Sequence, residues 1–311
     1  MVYVNDVPFG EKSFPNGETI FNTGNQYTRD ANNEISLVYE SDSDIFKLIV
    51  AKRCLDEEMT RCKVKHSFFN AYATLKILYM PYSRMDREMP DMAFSLKYIA
   101  EIINSLNFDN VQILTPHSNV TPALINNVEA IYDVGVAEAY QHCNPDYIFY
   151  PDNGACKSFG EHLTYKNYFY GNKKRELSTG RIEKYELVNA PDIKGKSILI
   201  IDDLCVKGGT FILAAQALKA AGAVKVDLFV THLERAVYDG ELLTTTWVDH
   251  IYTVNTLNIP IKSNKITEVG CDHEYDNANV GFRFLQTISS STISARDNKA
   301  RFLYDSSYVK S

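Results

Sequence analysis

The segment from residue 196 to residue 232 constrains the fold of this chain more than any other part of its sequence. An apolar run, Ile198–Ile201, ends in two acids and is followed by the glycine pair Gly208–Gly209. The Ala- and Leu-rich stretch Phe211–Ala221 predicts a helix that stops at a glycine, and a second apolar run, Val224–Val230, comes next. Strand, loop, helix and strand at this spacing predict a βαβ unit with parallel strands covered by helices.

The first half of the chain repeats this pattern. Leu75–Met80 predicts a strand, Ala93–Leu106 a helix and Val111–Leu114 another strand. In each half a histidine follows an apolar strand, His117 in the first and His232 in the second, which either an internal duplication or two independent βαβ units would produce. We therefore expect an α/β protein with two domains, each a mainly parallel sheet flanked by helices.

A polar break at Cys143–Asn144–Pro145 divides the chain into predicted domains at residues 1–143 and 144–287. Residues 288–311 predict a polar tail that is poorly ordered. A chain of 311 residues is long enough for two domains of ordinary size. A second polar and basic stretch, residues 172–181, is predicted to be a loop.

The composition excludes several classes of protein. A net charge of −7 argues against a broad nucleic-acid-binding surface, which needs clustered Lys and Arg. No apolar run approaches the roughly 18 residues of a membrane span, and the first residues lack the pattern of a signal peptide. The six cysteines are scattered without a C-x-x-C pair, which favours free thiols in a reducing compartment. We expect a cytoplasmic enzyme.

Residues 201–210, I-D-D-L-C-V-K-G-G-T, lie where a parallel sheet collects its ligands, at the carboxyl end of a strand. The glycines let backbone N–H groups approach an anion, and the following helix offers its positive N-terminal end. Thr210 is predicted to be the N-cap of that helix. Asp202 and Asp203 suit either sugar hydroxyls or a metal ion, although a capped turn without function would also explain the pattern.

This loop resembles the ribose-phosphate-binding loop of the phosphoribosyltransferase fold. Two further stretches narrow the resemblance. Residues 79–87, Y-M-P-Y-S-R-M-D-R, are similar to the Y-x-P-Y-x-R-x-D-R nucleotide-binding motif of the ribose-phosphate diphosphokinases, also called phosphoribosyl pyrophosphate synthetases. Residues 14–18, F-P-N-G-E, are similar to the F-x-D-G-E motif of that family. The resemblance implies two phosphoribosyltransferase-like domains, the first binding ATP and the second the ribose phosphate.

The resemblance also implies roles for residues in the first domain. Phe14 would pack on the adenine of ATP, with Asn16 and Glu18 nearby. Arg84 and Asp86 would contact the nucleotide, the arginine through the phosphates. Without the motif, Arg84 would be interpreted as one partner of a surface salt bridge.

A metal site follows from two other stretches. Residues 115–118, T-P-H-S, occupy the place of the family's D-L-H-A, so that His117 is retained while Thr115 replaces the acid. Asp152 lies in a P-D-x-G motif. In the family these positions imply that His117, which would also contact ATP, and Asp152 help to hold Mg²⁺. A histidine at a strand end is also often structural.

Residues 172–175, N-K-K-R, resemble the D-K-R-R of the family's mobile catalytic loop, which implies that Lys173 and Arg175 are the catalytic cations. A basic stretch of this kind, taken alone, is more often a solvated loop. Its position between the P-D-x-G and D-D…G-G-T motifs favours the catalytic interpretation.

The ribose-phosphate loop departs from the family at two positions. The resemblance assigns Asp202 and Asp203 to the ribose hydroxyls, and the end of the loop to the 5-phosphate through its last four residues, which are Lys207, Gly208, Gly209 and Thr210. The family usually has D-D-x-x-D-T-G-G-T, whereas this chain has Val206-Lys207 in place of D-T. The change is either drift or an adaptation to a larger 5-substituent, such as the diphosphate of ADP-ribose, which the charge of Lys207 suits.

The function implied is transfer of the β,γ-diphosphate of ATP to the anomeric hydroxyl of ribose 5-phosphate, with release of AMP and with Mg²⁺ as cofactor. ADP-ribose is the alternative acceptor and would place the reaction in NAD synthesis. A nucleobase phosphoribosyltransferase would explain the ribose-phosphate loop but not the other motifs, and a non-catalytic regulatory subunit of the family also stays open. We expect a homo-oligomer, at least a dimer, that binds neither nucleic acid nor a membrane.

Overall fold

The computed structural model describes residues 1–10, 12–16, 18–21, 27, 33–65, 72–165, 167–175 and 182–270. At residues 13, 62–65, 173–175 and 182–184 it describes the backbone alone. Within these ranges the chain folds into two large sheets and one small two-stranded sheet. The predicted polar tail at residues 288–311 lies outside them.

The first large sheet, with the helices around it, forms the N-terminal lobe. In the described residues it has six strands in the spatial order β2-β1-β5-β6-β7-β8, which are β1 (Val2–Val4), β2 (Val7–Pro8), β5 (Asn33–Leu37), β6 (Ala73–Ile77), β7 (Asn110–Leu114) and β8 (Val128–Ile131). The last four of these are parallel, while β1 and β2 add an antiparallel edge. The small sheet pairs β3 (Lys12–Ser13) with β4 (Thr19–Ile20).

The second large sheet, with its helices, forms the C-terminal lobe. Its seven strands within the described ranges run in the order β11-β10-β9-β12-β13-β14-β15, which are β9 (Tyr147–Tyr150), β10 (Tyr168–Arg175), β11 (Ile182–Val188), β12 (Ser197–Cys205), β13 (Lys225–Leu233), β14 (His250–Thr253) and β15 (Ile266–Glu268). Every pair is parallel except β10 with β11. Two mainly parallel sheets therefore confirm the predicted fold class.

Six α-helices and one short 3-10 helix connect the described strands: α1 (Ser43–Lys65), α2 (Ser95–Ser105), α3 (Val120–Leu124), α4 (Val136–Cys143), α5 (Asn153–Gly160), α6 (Gly209–Ala220) and the 3-10 helix Arg235–Asp239. In α2 the spacing i, i+3, i+4, i+7 buries one apolar face through Leu96, Ile99, Ala100 and Ile103. In the described part of the chain, each helix is too short or too polar to cross a membrane.

The predicted elements are present, with shifted ends. Strand β12 continues through Asp202 and Asp203 to Cys205, because Asp202, Leu204 and Cys205 remain paired with β13. The predicted loop at residues 172–181 is wrong in its first part. Asn172–Arg175 belong to β10 and pair with β11, which supplies the backbone partners that an isolated basic stretch lacks.

One apolar cluster joins the two sheets. It includes Leu114 from the N-terminal lobe together with Ile201 and Phe229 from the C-terminal lobe, and all three side chains are buried. Helix α4, which ends at Cys143, contributes Val136 and Ala139 to the same cluster. The lobes therefore share hydrophobic burial where the sheets meet, while the domain limits at residues 143 and 287 remain predictions. Four cysteines whose side chains the structure describes are free thiols, at positions 54, 143, 156 and 205.

Helix α6 begins after a glycine and not at the predicted cap. Gly208 is its N-cap residue, with φ of 81°, and Thr210 is the second residue of the helix. An L-amino acid rarely adopts this left-handed backbone, whereas glycine does so without a steric penalty. A Cβ atom at Gly208 would also lie 2.5 Å from Leu242 Cδ2, but one at Gly209 would meet nothing within 4 Å. Gly208 is therefore required by backbone shape.

Replacing Gly208 and Gly209 separately by alanine distinguishes the requirement for a left-handed backbone at Gly208 from a general effect of removing a glycine. We expect Gly208→Ala to lower the free energy of unfolding by about 1–3 kcal/mol, because both a positive φ and a contact with Leu242 oppose the methyl group. Gly209→Ala, the matched control, should change it by less than about 0.5 kcal/mol. Urea denaturation followed by circular dichroism measures both. Equal effects would contradict this account.

Candidate active site

One cavity lies where the carboxyl ends of strands from both sheets face each other. Its volume is about 480 Å³, within the range of roughly 300–1,000 Å³ that is usual for small-molecule sites. The residues that line it are Arg84, Pro116, His117, Ser118, Asn119, Asp152, Gly154, Ala155, Lys157, Ser158, Phe159, Asp202, Asp203, Leu204 and Val206. Side chains that are far apart in the sequence therefore surround one space.

Five residues to which the sequence analysis assigns a binding or metal-holding role line this cavity: Arg84, His117, Asp152, Asp202 and Asp203. The turn after β6 supplies the arginine, the turn after β7 the histidine, and the end of β9 the first aspartate. The other two aspartates belong to β12 itself. Parallel pairing brings the ends of β6 and β7 to one edge of the first sheet and those of β9 and β12 to one edge of the second, and the motifs converge where these two edges face each other.

The turn that carries Arg84 is held by its aromatic residues. Tyr82 has a left-handed backbone, with φ of 59°, and its hydroxyl donates to Asp42 Oδ1 at 2.6 Å. Arg84 is half exposed and its Nη2 lies 3.0 Å from Glu234 Oε1 in the C-terminal lobe. The alternative interpretation of Arg84, one partner of a salt bridge, is thus realised in a pair that connects the lobes beside the cavity.

The turn that carries His117 begins with an unusual residue. Thr115 is 1% exposed and its φ is 41°, a left-handed conformation that β-branched residues seldom adopt. Its N–H donates to the carbonyl oxygen of Ile131 at 2.7 Å. The residue that replaces an acid in this motif therefore lies in the interior and shapes the backbone, whereas Pro116 and His117 line the cavity.

His117 and Asp203 form a hydrogen-bonded ion pair across the two lobes. His117 Nδ1 lies 2.5 Å from Asp203 Oδ2. The bond to Asp203 raises the pKa of His117 above its usual 6.5, although burial acts in the opposite direction. Burial raises the pKa of Asp203, but the hydrogen bond and charge of His117 outweigh it, so this pKa lies below its usual 3.8. His117, a candidate nucleotide contact, and Asp203, a candidate sugar contact, thus neutralise each other's charge.

The cavity contains groups that fit Mg²⁺ bound mainly through phosphate oxygens. Asp152 offers hard oxygen atoms, although its Oδ1 also accepts from Ala155 N at 3.0 Å and caps α5. Ser118 Oγ is buried and has no hydrogen-bond partner in the described structure, so a hydroxyl donor is left for a ligand. Among the described residues no cluster of three His, Cys, Asp or Glu forms a complete protein cage.

Two cavity residues of functional interest were not identified from the sequence. Lys157 lies on α5, five residues after Asp152, and has no ion-pair partner among the described side chains. Ser118 directly follows His117. The signal for Lys157 was its place on the helix that the P-D-x-G motif begins, which puts its side chain within reach of the same strand end.

The described residues of the motif at 14–18, which are 14–16 and 18, lie between the paired strands β3 and β4. Phe14 N donates to Glu18 O at 2.7 Å, and Asn16 Nδ2 donates to Glu18 Oε2 at 2.8 Å. The ring of Phe14 is 52% exposed, as a surface on which a planar group stacks would be. None of these three residues lines the 480 Å³ cavity. Their role with adenine remains a prediction.

The other expected site residues lie beside the cavity or outside the described side chains. Asp86 is near enough to His117 for its charge to raise the histidine pKa, although it is not part of the lining. Lys207–Thr210 follow Val206 at the rim and the start of α6. The backbone of Lys173 and Arg175 belongs to β10, and their side chains are outside the described part.

The pair His117–Asp203 predicts a pH-dependent contribution to stability. Because the pKa of His117 is raised, its contribution is complete below 6.5 and is lost as pH rises through the raised value. Because the pKa of Asp203 is lowered, its contribution is complete above 3.8 and is lost as pH falls through the lowered value. We expect His117→Gln to destabilise the chain most between these two limits.

Thermal melts at several pH values measure this difference against the unsubstituted chain. His142→Gln is the control, since His142 is half exposed, lies 3.6 Å from Glu138, and ion pairs near the surface contribute little. A loss of stability in His117→Gln that stays constant up to pH 9 would contradict the pairing with Asp203.

Comparison with known proteins identifies relatives along most of the chain. A family model described as the phosphoribosyl transferase domain matches residues 163–275. A ribose-phosphate pyrophosphokinase of Sulfurisphaera tokodaii is 29% identical over 270 residues, which are 83% of this chain and 87% of that protein. A ribose-phosphate pyrophosphokinase of Pyrococcus furiosus is 31% identical over 211 residues, which are 63% of this chain and 72% of that protein.

Comparison with solved structures identifies a protein with a similar fold. The crystal structure of phosphoribosylpyrophosphate synthetase from Mycobacterium smegmatis matches with a TM-score of 0.63 and 19% sequence identity, over 85% of this chain and 87% of that one. This likeness concerns the fold, and the sequence matches carry the assignment to a family. The chain belongs to the ribose-phosphate pyrophosphokinase family.

Proposed function

We propose that this chain transfers the diphosphate of ATP to the anomeric hydroxyl of ribose 5-phosphate and releases AMP. The observation that carries the proposal is the single cavity that Arg84 and His117 share with Asp152, Asp202 and Asp203. Residues of the nucleotide motifs and residues of the ribose-phosphate loop thereby face the same cavity of about 480 Å³. A transfer between two bound substrates requires this proximity.

In the proposed reaction the anomeric oxygen attacks the β-phosphorus of ATP, and the bond from that phosphorus to the α,β-bridging oxygen breaks. AMP leaves with that oxygen and the bonding electron pair, and the proton of the anomeric hydroxyl passes to solvent. Asp202 and Asp203 accept hydrogen bonds from the ribose hydroxyls and orient the attacking oxygen. Arg84 binds the phosphate chain, while Lys173 and Arg175 stabilise the negative charge of the transferring group. Asp152, and His117 in its neutral form, would hold Mg²⁺, which would screen phosphate charge when bound.

Lys157 supports the same proposal as an additional phosphate contact. Arg84 is engaged with Glu234 and His117 with Asp203, so Lys157 is the cavity cation without an ion-pair partner in the described chain. A site for a polyphosphate needs cations that are free to bind it. We therefore assign Lys157 to the phosphates of the nucleotide.

The second candidate acceptor is ADP-ribose, and the position of Lys207 favours it. Lys207 is exposed beside Val206, and its side chain has no ion-pair partner among the described residues. The diphosphate of ADP-ribose would bring a second negative group to the 5-position, where an unpaired ammonium stabilises it. Ribose 5-phosphate remains the first candidate because the relatives at 26–31% identity are named ribose-phosphate pyrophosphokinases.

Release of AMP from Mg-ATP by the purified chain tests the proposed function, with ribose 5-phosphate and ADP-ribose as alternative acceptors. We expect faster release with ribose 5-phosphate, and a loss of about 10²- to 10³-fold in Lys173→Ala, by analogy with other preorganised charge-stabilising groups. Lys97→Ala, an exposed lysine of α2 outside the cavity lining, is the control.

Each other outcome of this assay has a defined meaning. Preference for ADP-ribose would make it the acceptor and Lys207 part of its recognition. If AMP is released with neither of the two acceptors, the proposal that the chain is a diphosphokinase is contradicted, and a regulatory subunit of the family is favoured. Full activity in Lys173→Ala would remove that residue from the mechanism.

Lys157→Ala tests the additional phosphate contact. We expect KM for ATP to rise about tenfold or more, because a charge-assisted hydrogen bond contributes about 1.5–3 kcal/mol and 1.4 kcal/mol corresponds to a factor of ten. Lys157→Arg should restore most of the affinity, and Lys97→Ala again serves as the control. Steady-state kinetics at saturating ribose 5-phosphate provides the measurement. An unchanged KM in Lys157→Ala would contradict the assignment.

A further inference from the structure

The two histidines that the sequence analysis places after apolar strands, one in each half of the chain, differ in their surroundings. His117 lines the cavity, whereas His232, in the last part of β13, is buried with 2% exposure. The proposed reaction gives His232 no contact with either substrate. A buried histidine that is fully engaged in hydrogen bonds nevertheless constrains whatever it contacts.

Both ring nitrogens of His232 have partners. Nε2 lies 3.0 Å from the carbonyl oxygen of Thr115, and Nδ1 lies 2.6 Å from Thr256 Oγ1. A carbonyl oxygen only accepts, so Nε2 carries the hydrogen and donates it. Burial lowers the pKa of His232, which keeps the ring neutral, and Nδ1 therefore accepts from the Thr256 hydroxyl. The tautomer is fixed by these two neighbours.

The Nε2 bond crosses from the C-terminal lobe to the N-terminal lobe. It reaches the residue whose left-handed φ of 41° begins the turn to His117. A second bond from β13 reaches the same residue, since Thr231 Oγ1 donates to Thr115 Oγ1 at 3.0 Å. A threonine keeps such a backbone only where its surroundings determine it, and here two neighbours on the opposite lobe do so.

His232 also contacts the other segment that supplies a cavity cation. The ring of Tyr79, which begins the turn to Arg84, meets the His232 ring edge-on, with centroids 5.1 Å apart and an angle of 80°. Both turns of the N-terminal lobe that enter the cavity are therefore supported from the same imidazole.

We propose that His232 is a positioning residue: its Nε2–H bond holds the Thr115 turn, and through that turn it directs His117 toward Asp203. The hydrogen bond, and not the filling of space by the ring, is what the site requires. The effect on turnover rests on the proposed function, but the effect on the turn does not.

Two substitutions distinguish a hydrogen bond from packing. His232→Phe keeps the flat ring and removes both polar contacts. His232→Gln loses the ring but places an N–H donor at the position of Nε2, so it can still bond to the Thr115 carbonyl. If the hydrogen bond matters, glutamine is the better replacement; if packing matters, phenylalanine is.

Hydrogen exchange followed by mass spectrometry measures the turn directly, through a peptide that covers residues 110–120. The Thr115 N–H, bonded to Ile131 O at 2.7 Å, should exchange faster in His232→Phe and at the original rate in His232→Gln. With ribose 5-phosphate as acceptor, kcat should fall about 10- to 100-fold in His232→Phe, because a misplacement near 1 Å can cost 10²-fold. His232→Gln should restore kcat to within about threefold.

Other results would overturn the proposal. His232→Phe equal to or better than His232→Gln in both measurements would mean that packing is the role of the ring. Faster exchange without loss of kcat, or loss of kcat without faster exchange, would break the link between the turn and the site. If His232→Phe does not fold, Thr231→Val, which removes the second bond to Thr115, provides the test. It should give faster exchange of the Thr115 N–H and a lower kcat. Unchanged values of both would contradict the proposal.

The same measurements separate this proposal from the proposed function. If the unsubstituted chain releases no AMP, the diphosphokinase assignment fails, and the exchange rates of the two His232 variants alone decide whether the imidazole holds the turn.

Discussion

The backbone of Thr115 is the constraint on which the arrangement of the site depends. It turns the chain at the end of β7 with a φ of 41°, in a region that costs a β-branched residue of order 1–3 kcal/mol. Buried hydrogen bonds offset that cost: the Thr115 N–H donates to Ile131 O, while Thr231 and His232 donate to Thr115. Because the turn exists, His117 reaches an aspartate 86 residues away in the sequence, and the two sheets meet with complementary charge at their carboxyl ends.

A ligand that enters the cavity meets charged side chains that are already paired with each other. A phosphate that binds Arg84 competes with Glu234, and a sugar hydroxyl that binds Asp203 competes with His117. The first competition is weak, since Arg84 is half exposed and such pairs contribute about 0–1 kcal/mol. The second involves a less exposed carboxylate, whose pKa the histidine holds below its usual value. Under the proposed function, occupation of one half of the site would change the charge that the other half presents, which would couple the two binding steps thermodynamically.

The fold was largely predictable from the sequence, because apolar runs, a glycine pair and an amphipathic helix identify βαβ units. The end of β12 was not, since strand pairing with β13 extends order through polar residues that local preference assigns to a loop. The N-cap of α6 was misassigned to Thr210 because a side-chain cap is visible in sequence and a positive φ at Gly208 is not. The motifs located five cavity residues, and Lys157 could have been found from its place on the helix that the P-D-x-G motif begins. The contact of His232 with Thr115, in contrast, depends on packing between lobes that no local pattern encodes.

The apolar cluster common to both sheets also limits how the molecule can move. Domain closure about a hinge requires an interface that opens, and such interfaces are usually small or polar. Here Leu114, Ile201 and Phe229 are buried together, so rotating one sheet away from the other would expose them to water. If the chain binds its substrates as proposed, rearrangements confined to the connections at the rim of the cavity would leave this cluster buried.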